Sequence, residues 1–395
     1  MSEARPRTTV ESALRDTPPH ALLRTVRSLL AERVGAQDVT LRLADYGAAV
    51  LQAVGDGPEP DPELTVPARS GTPGRAFSAQ RPVLEEVGDD GAVLTHRPVT
   101  VRGDRLGLLS VLLPSAAAAE KAADELAAMA DALAHELMAA DRDTDLYVRS
   151  RRRKRLTLAA EMQWAMLPGR GCVRDEYTIG AHLEPAYSIG GDNFDWSSGD
   201  GLLTLSVTDG MGHGMDAALL TGLAVSALRN ARRAGLGVVD QAALADQAVF
   251  AQYQGASYAA SLLLSFDLAT GAVEAVDAGS PRVYRMRAGE VNLVPLEPQL
   301  PLGMFEDTPY TSQTFQMEAG DRLVIVSTGV HTTASATGVA YGERELCRRV
   351  RATRLGSPTE TAHAVVNGLI EYSGSSELAA DASVVCVDWR GRPTP

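Results

Sequence analysis

Leu202-Leu-Thr-Leu-Ser-Val-Thr-Asp209-Gly-Met-Gly-His-Gly-Met-Asp216 is the stretch on which the reading of this chain turns. Apolar side chains dominate 202–207, which predicts a strand. An aspartate then stands at the strand end, followed by glycines at 210, 212 and 214. A helical pattern follows over 217–234, with Asp216 placed to cap it. Seventeen residues upstream lies a second glycine-flanked aspartate, Gly190-Gly191-Asp192. Two carboxylates on tightly turning backbone, with a carbonyl such as that of Gly210, form a hard oxygen set suited to Mg²⁺ or Mn²⁺. The plain alternative is that Asp-Gly is a common turn pair. His213 reads either as a general acid or as an ordinary turn histidine.

Outward from this stretch the pattern is strand-rich. Strands are expected at 258–266, 272–278, 282–287, 322–327 and 383–388. Turn signals at Asp267-Leu-Ala-Thr-Gly271 and Arg287-Ala-Gly289 separate some of them. Helices are expected at 241–252 and 360–372. The block 168–390 is therefore an antiparallel sheet flanked by helices, and not an alternating βαβ fold.

Upstream the chain divides again. Residues 1–18 read as a loose polar tail. A helical stripe over 20–34 precedes short strands at 39–43, 49–54, 64–67, 98–102 and 106–113, the last two joined by a turn at Gly103-Asp104. This predicts a small α+β sensory domain over 19–114. Residues 115–167 read as a helical connector whose Leu126, Met129, Leu133 and Leu137 form a seam, with a break near Thr144-Asp145. The favoured expectation is a parallel pairing that makes a homodimer; the alternative is a helix packed on its own domain. The basic run at 151–155 is either a nucleic-acid or acidic-lipid contact or a solvated helix face.

Composition bounds the function. Hydrophobic residues make up 45% of the 395 residues and charged residues 22%, a globular balance. A formal net charge of −13 argues against general nucleic-acid binding. Cys172, Cys347 and Cys386 are too dispersed for a disulfide framework or a structural zinc site. No signal-peptide pattern or membrane-length apolar run is present, so a cytoplasmic location is expected. The phosphate-loop, GxSxG and HExxH patterns are absent.

Several segments in order then resemble one family. They are Ala160-Glu-Met-Gln-Trp-Ala-Met-Leu-Pro168, Ile189-Gly-Gly-Asp192-Asn-Phe-Asp195, Val207-Thr-Asp209-Gly-Met-Gly-His-Gly214 and Asp277-Ala-Gly-Ser-Pro281, with Leu300-Pro-Leu-Gly303 and Gly320-Asp-Arg-Leu-Val-Ile-Val326 continuing in register. Together they resemble the metal-dependent protein phosphatases (PPM superfamily) of the SpoIIE/RsbU branch, over about residues 155–390. Gly71-Thr-Pro-Gly74-Arg-Ala-Phe77, with the strands around Gly103, resembles a GAF domain.

The resemblance implies an N-terminal GAF-like domain, a helical linker and a PPM-type antiparallel α/β/β/α sandwich. It implies phosphoserine or phosphothreonine hydrolysis at a binuclear Mn²⁺/Mg²⁺ centre, on a small phosphorylated protein of the anti-sigma-factor-antagonist type. Asp209 would bridge the ions, Gly210 would give its carbonyl, and Asp192 would serve the second ion. Two positions depart from the pattern. Thr328, in Ser327-Thr328-Gly329, stands where the family carries an aspartate, and Ala380 stands where it carries another. Asp381 is one residue out of place; strand alternation argues against its substituting, although a loop could accommodate it. The expected outcome is a depleted centre, one ion in place of two, and weak activity. The rival reading is a pseudophosphatase that binds a phosphoprotein or regulator without turnover.

Overall fold

The computed structural model describes residues 9–55, 64–88, 90–152, 156–185, 190–279, 281–335, 337–375 and 378–392. The chain forms two compact units, residues 1–155 and 156–395.

The first unit is built on a six-stranded antiparallel sheet. Its strands are β1 (Asp38–Ala44), β2 (Val50–Ala53), β3 (Val66–Pro67), β4 (Val83–Val87), β5 (Ala92–Val101) and β6 (Asp104–Leu113), in the order β3-β2-β1-β6-β5-β4. The β5–β6 hairpin turns at Arg102 and Gly103, both at positive φ, as a two-residue turn between twisted strands requires. Helices α1 (Val10–Arg15), α2 (Leu22–Val34) and α5 (Ala123–Ala140) share one apolar core with β1, β5 and β6. Helix α3 (Gly71–Ala79) contributes Ala76 and Phe77 to a second cluster with Leu51 and Leu108.

Two expectations are corrected here. Residues 10–15 are not loose tail. They form a helix capped by the Thr9 hydroxyl, because Val10 and Leu14, four apart, are both buried. The connector is also not a free dimerisation helix. It breaks into α4 (Ala116–Lys121), α5 and α6 (Leu146–Ser150), ending α5 at Ala140 just ahead of Thr144-Asp145. The seam residues Leu126, Met129, Leu133 and Leu137 are all fully buried inside their own unit. A seam already covered by its own sheet cannot also pair with a second chain. Of the basic run, Arg151 pairs with Asp141 at 3.8 Å, and residues 153–155 lie outside the described residues.

The second unit is an antiparallel α/β/β/α sandwich. It opens with α7 (Leu158–Met166), β7 (Gly171–Val173), β8 (Tyr177–Glu184), β9 (Gly191–Ser198) and β10 (Leu202–Gly210). Helices α8 (Gly214–Arg233) and α9 (Val238–Tyr253) follow, then β11 (Ala259–Asp267), β12 (Ala272–Ala278), β13 (Arg282–Arg287), β14 (Glu290–Leu293), β15 (Gln313–Gln316) and β16 (Arg322–Val326). The chain ends with α10 (Thr328–Thr332), α11 (Gly342–Ala352), α12 (Pro358–Ser373) and β17 (Ala382–Trp389). One sheet has the order β15-β12-β11-β10-β9, the other β14-β13-β16-β17-β8-β7. Helices α8 and α9 cover the first sheet, and α11 and α12 cover the second. The inner faces meet through alternate apolar side chains such as Leu203, Leu205 and Val207. Cys172, Cys347 and Cys386 are buried, and none forms a disulfide among the described residues.

The strand β9 was not legible in the sequence. Gly-Asp-Asn-Phe-Asp-Trp-Ser-Ser carries no β-branched residue and three polar groups in its first five positions. Its extended form comes from full antiparallel pairing with β10. Helix α8 starts at Gly214 with His213 as its N-cap, so Asp216 lies in the first turn instead of capping. There its charge still favours the positive end of the helix.

Candidate active site

The pairing of β9 with β10 builds the site. Asp192 stands directly opposite Asp209, and Gly191 opposite Gly210. Residues opposed on antiparallel strands share a face with Cβ atoms about 5 Å apart, and like charges so placed repel. By alternation Asp192 and Asp209 turn inward with Phe194 and Val207, whereas Gly191, Gly210 and Asp195 turn toward α8. Gly210 makes room for that helix, and Gly191 for the backbone of β10. A Cβ on Gly210 would meet the Thr221 hydroxyl at 2.2 Å, and one on Gly191 would meet the Gly210 carbonyl oxygen at 2.4 Å. The Thr221 hydroxyl donates to the Gly191 carbonyl at 2.7 Å. On the same outer side Asp195 accepts from Arg229 and Arg232 at 2.8 Å each, fixing β9 to α8.

The second sheet closes the site from across the sandwich. The hydroxyls of Ser327 and Ser383, at the ends of β16 and β17, face Asp192, and that of Thr328 hydrogen-bonds Asp209. Asp192 is 2% exposed, and its Oδ2 has no hydrogen-bond partner among the described residues. Burial, then the charges of Asp209 and Asp381, push its carboxyl well above the usual range, while the serine hydroxyls pull the other way. Burial also raises Asp209, opposed by the Thr328 hydroxyl.

Asp381, one residue out of register in the sequence, joins the cluster. It precedes β17 in an irregular segment, so strand alternation does not bind it. Its Oδ1 accepts from the Gly190 amide at 3.0 Å, and its Oδ2 from Gln163 of α7 at 2.6 Å. Ala380, one of the two departures, lies beside Gly329, the residue that follows the other, Thr328. A Cβ on Gly329 would meet the Asp381 carbonyl oxygen at 1.9 Å and the Ala380 Cβ at 3.3 Å. The neighbourhood that would gain two carboxylates in the family pattern thus holds a hydroxyl and a methyl group. His213 is exposed in the turn before α8.

Residues 199–390 match the family model described as stage II sporulation protein E (SpoIIE). The C-terminal unit carries a SpoIIE-type phosphatase domain. Three solved structures similar to this domain are the RsbU and RsbW domains of Rv1364c from Mycobacterium tuberculosis, the PP2C phosphatase domain of SpoIIE with a regulatory fragment from Bacillus subtilis, and RsbX in complex with magnesium. The first is 23% identical over 56% of this chain and 61% of that chain, with a TM-score of 0.47. The second is 20% identical over 56% and 66%, with a TM-score of 0.48. The third is 18% identical over 55% and 98%, with a TM-score of 0.44. The chain thus spans less than two thirds of the length of the first two. No curated protein matches the chain.

Asp192 and Asp209 are the carboxylates of this SpoIIE-type domain that a cation would meet. Opposed carboxylates with a buried, unpartnered oxygen are a donor set lacking a positive charge. Among the described residues, however, no group of three or more His, Cys, Asp or Glu side chains is arranged to hold a metal ion. Asp381 has both oxygens engaged by donors, which leaves Asp192 and Asp209 as the available pair.

Proposed function

We propose that this chain is a regulatory SpoIIE/RsbU-like protein phosphatase with a depleted metal site and low turnover on phosphoserine or phosphothreonine. The observation that carries the reading is the Asp192–Asp209 pair, opposed across two strands, with Asp192 buried and its Oδ2 without a hydrogen-bond partner among the described residues. Asp192 and Asp209, with the Gly210 carbonyl, would hold one Mn²⁺ or Mg²⁺. When bound, that cation supplies polarisation of a phosphoryl oxygen. The chain's own residues set the rest. Ser327 and Ser383 steady the Asp192 carboxylate, Thr328 orients Asp209, and the sandwich interior excludes water from behind the pair. The loss of two carboxylates at Thr328 and Ala380 accounts for the low turnover, since even an outer partner of a ligand is commonly worth about 10–100-fold.

The substrate class is a small phosphorylated signalling protein, of the kind the branch implies. The N-terminal unit serves as a GAF-like sensory module, a reading its six-stranded sheet supports. The described residues contain no helix long and apolar enough to cross a membrane, and a cytoplasmic setting fits this function. The second reading, a pseudophosphatase, draws on Thr328 and Ala380, which supply no carboxylate where the family pattern has two.

Phosphate release from a phosphoserine peptide, titrated with Mn²⁺, tests the choice. Mn²⁺-dependent turnover that disappears in Asp209→Asn supports the enzyme. A folded wild type with no turnover at any Mn²⁺ concentration supports the binding module.

A further inference from the structure

The motif Asp277-Ala-Gly-Ser-Pro281 has no part in the paired-aspartate site. It joins β12 of the first sheet to β13 of the second. Asp277 and Gly279 line a cavity of about 440 Å³. Val283 and Val294 are buried along its back, and Leu293, 41% exposed, stands with Leu296 at its rim. Two hydrogen bonds hold its shape. Asp277 Oδ1 accepts from the Gly279 amide at 3.0 Å, and the Asp277 carbonyl accepts from the Gln299 amide at 2.7 Å. Arg282 and His331 complete the lining. Burial, then the charge of Arg282, pushes the His331 imidazole down to about 4, which leaves the exposed Arg282 as the cation of this lining at neutral pH.

Two routes place this cavity beside the aspartates. Asp209 pairs with Ala260, and Ser261 pairs with Ala278. Gly279 therefore continues the row of Asp209 two strand spacings away, about 10 Å. In the second sheet, His331 follows Thr328 on α10 by about 4.5 Å of helix rise, and the Thr328 hydroxyl hydrogen-bonds Asp209. An extended peptide covers about 10 Å in three residues. Resting on the reading of Asp192 and Asp209 as the phosphate site, we infer that this cavity is a specificity subsite of the same domain. It takes an apolar side chain two or three residues from the phosphoserine or phosphothreonine of the substrate protein, and an acidic neighbour of that side chain meets Arg282. The occupant follows from the lining, apolar side chains with one exposed cation, and from the span, that of a few peptide residues.

The test is fluorescence anisotropy of labelled phosphoserine peptides on the full chain with Mn²⁺ present, beside phosphate release from the same peptides. In an alanine-based peptide, leucine is placed in turn at each position from three before to three after the phosphoserine. Leucine two or three residues away on one side should tighten binding by about tenfold or more over alanine. Glutamate in place of lysine beside that leucine should add about two- to fivefold. Leu293→Ser combined with Leu296→Ser should erase the leucine preference, and Arg282→Glu should reverse the glutamate preference. Tryptophan fluorescence establishes that each variant is folded. Equal or undetectable binding of leucine and alanine peptides at every position, or a leucine preference that survives in the folded double variant, would overturn the subsite whether or not phosphate is released. Leucine-dependent binding without release at any Mn²⁺ concentration would support the subsite and overturn the phosphatase reading.

Discussion

Asp209→Asn should stabilise the cation-free C-terminal unit and at the same time abolish its stabilisation by Mn²⁺. The reason is the cross-strand register. Asp192 and Asp209 are directly opposed, and two unit charges about 5 Å apart repel by about 3 kcal/mol at an effective dielectric constant near 20. Asp209 is only partly buried, so solvent screening reduces this to about 1–2 kcal/mol. In a unit of this size 1 kcal/mol moves the thermal midpoint by about 2–4 °C. The variant in EDTA should therefore melt about 2–8 °C above the wild type. Asparagine keeps an oxygen for the Thr328 hydroxyl, so little is lost there. With Mn²⁺ at about one hundred times its Kd, the wild type gains about 2.7 kcal/mol by mass action, and the variant gains almost nothing. The order of the two midpoints should then reverse. Trp164, Trp196 and Trp389 are the only tryptophans, and all lie in the second unit. Tryptophan fluorescence during thermal melting thus reports on this unit alone. A variant that melts below the wild type in EDTA, or that keeps its Mn²⁺ shift, would refute the reasoning.

Three further outcomes are expected. Because burial, Asp209 and Asp381 raise the Asp192 carboxyl in the folded state, its stabilising contribution is complete below the unfolded carboxylate range and is lost as pH rises through the folded value. Metal-free stability from urea melts should fall as pH rises from that range toward neutrality, and Asp192→Asn should flatten that part of the profile. Thr328→Asp combined with Ala380→Asp restores two carboxylates to one neighbourhood, and should raise Mn²⁺-dependent phosphate release by about tenfold or more; no gain in a folded double variant would count against the assigned positions. Gly191→Ala places a methyl group 2.4 Å from the Gly210 carbonyl oxygen, and should cost about 1–3 kcal/mol in a denaturant titration, whereas Gly201→Ala, which meets nothing within 4 Å, should stay within about 0.5 kcal/mol.

Local signals carried much of the fold. The meander from β11 to β13 is legible because apolar runs are bounded by turn residues, and 272–278 and 282–287 coincide with the observed strands. The glycine-flanked aspartates were legible as candidates for the same reason. Gln163 and Asp381 were not. A buried glutamine on an apolar helix is a visible oddity in Ala160-Glu-Met-Gln163-Trp164, but its acceptors lie 29 and 218 residues away. Asp381 was ambiguous, because strand alternation argues against it and a loop admits it, and only the start of β17 at Ala382 decides between the two.

What the sequence by itself determined, then, is the set of elements and the chemistry available to them. Periodicity and turn residues act over a few neighbours, and so they define strands, helices and the glycine-flanked aspartates. The residue types at 328 and 380 equally offer no carboxylate at those positions. Only the tertiary structure decided which groups meet. Pairing of β9 with β10 opposes Asp192 to Asp209, and packing of the two sheets brings Ser327, Ser383 and Thr328 over them. The seam of α5 shows the same division. Its spacing establishes an apolar face, but spacing is identical for a helix that pairs with another chain and one that packs on its own sheet. Burial of Leu126, Met129, Leu133 and Leu137 against that sheet decided between them, because apolar surface is satisfied by whichever partner removes it from water first.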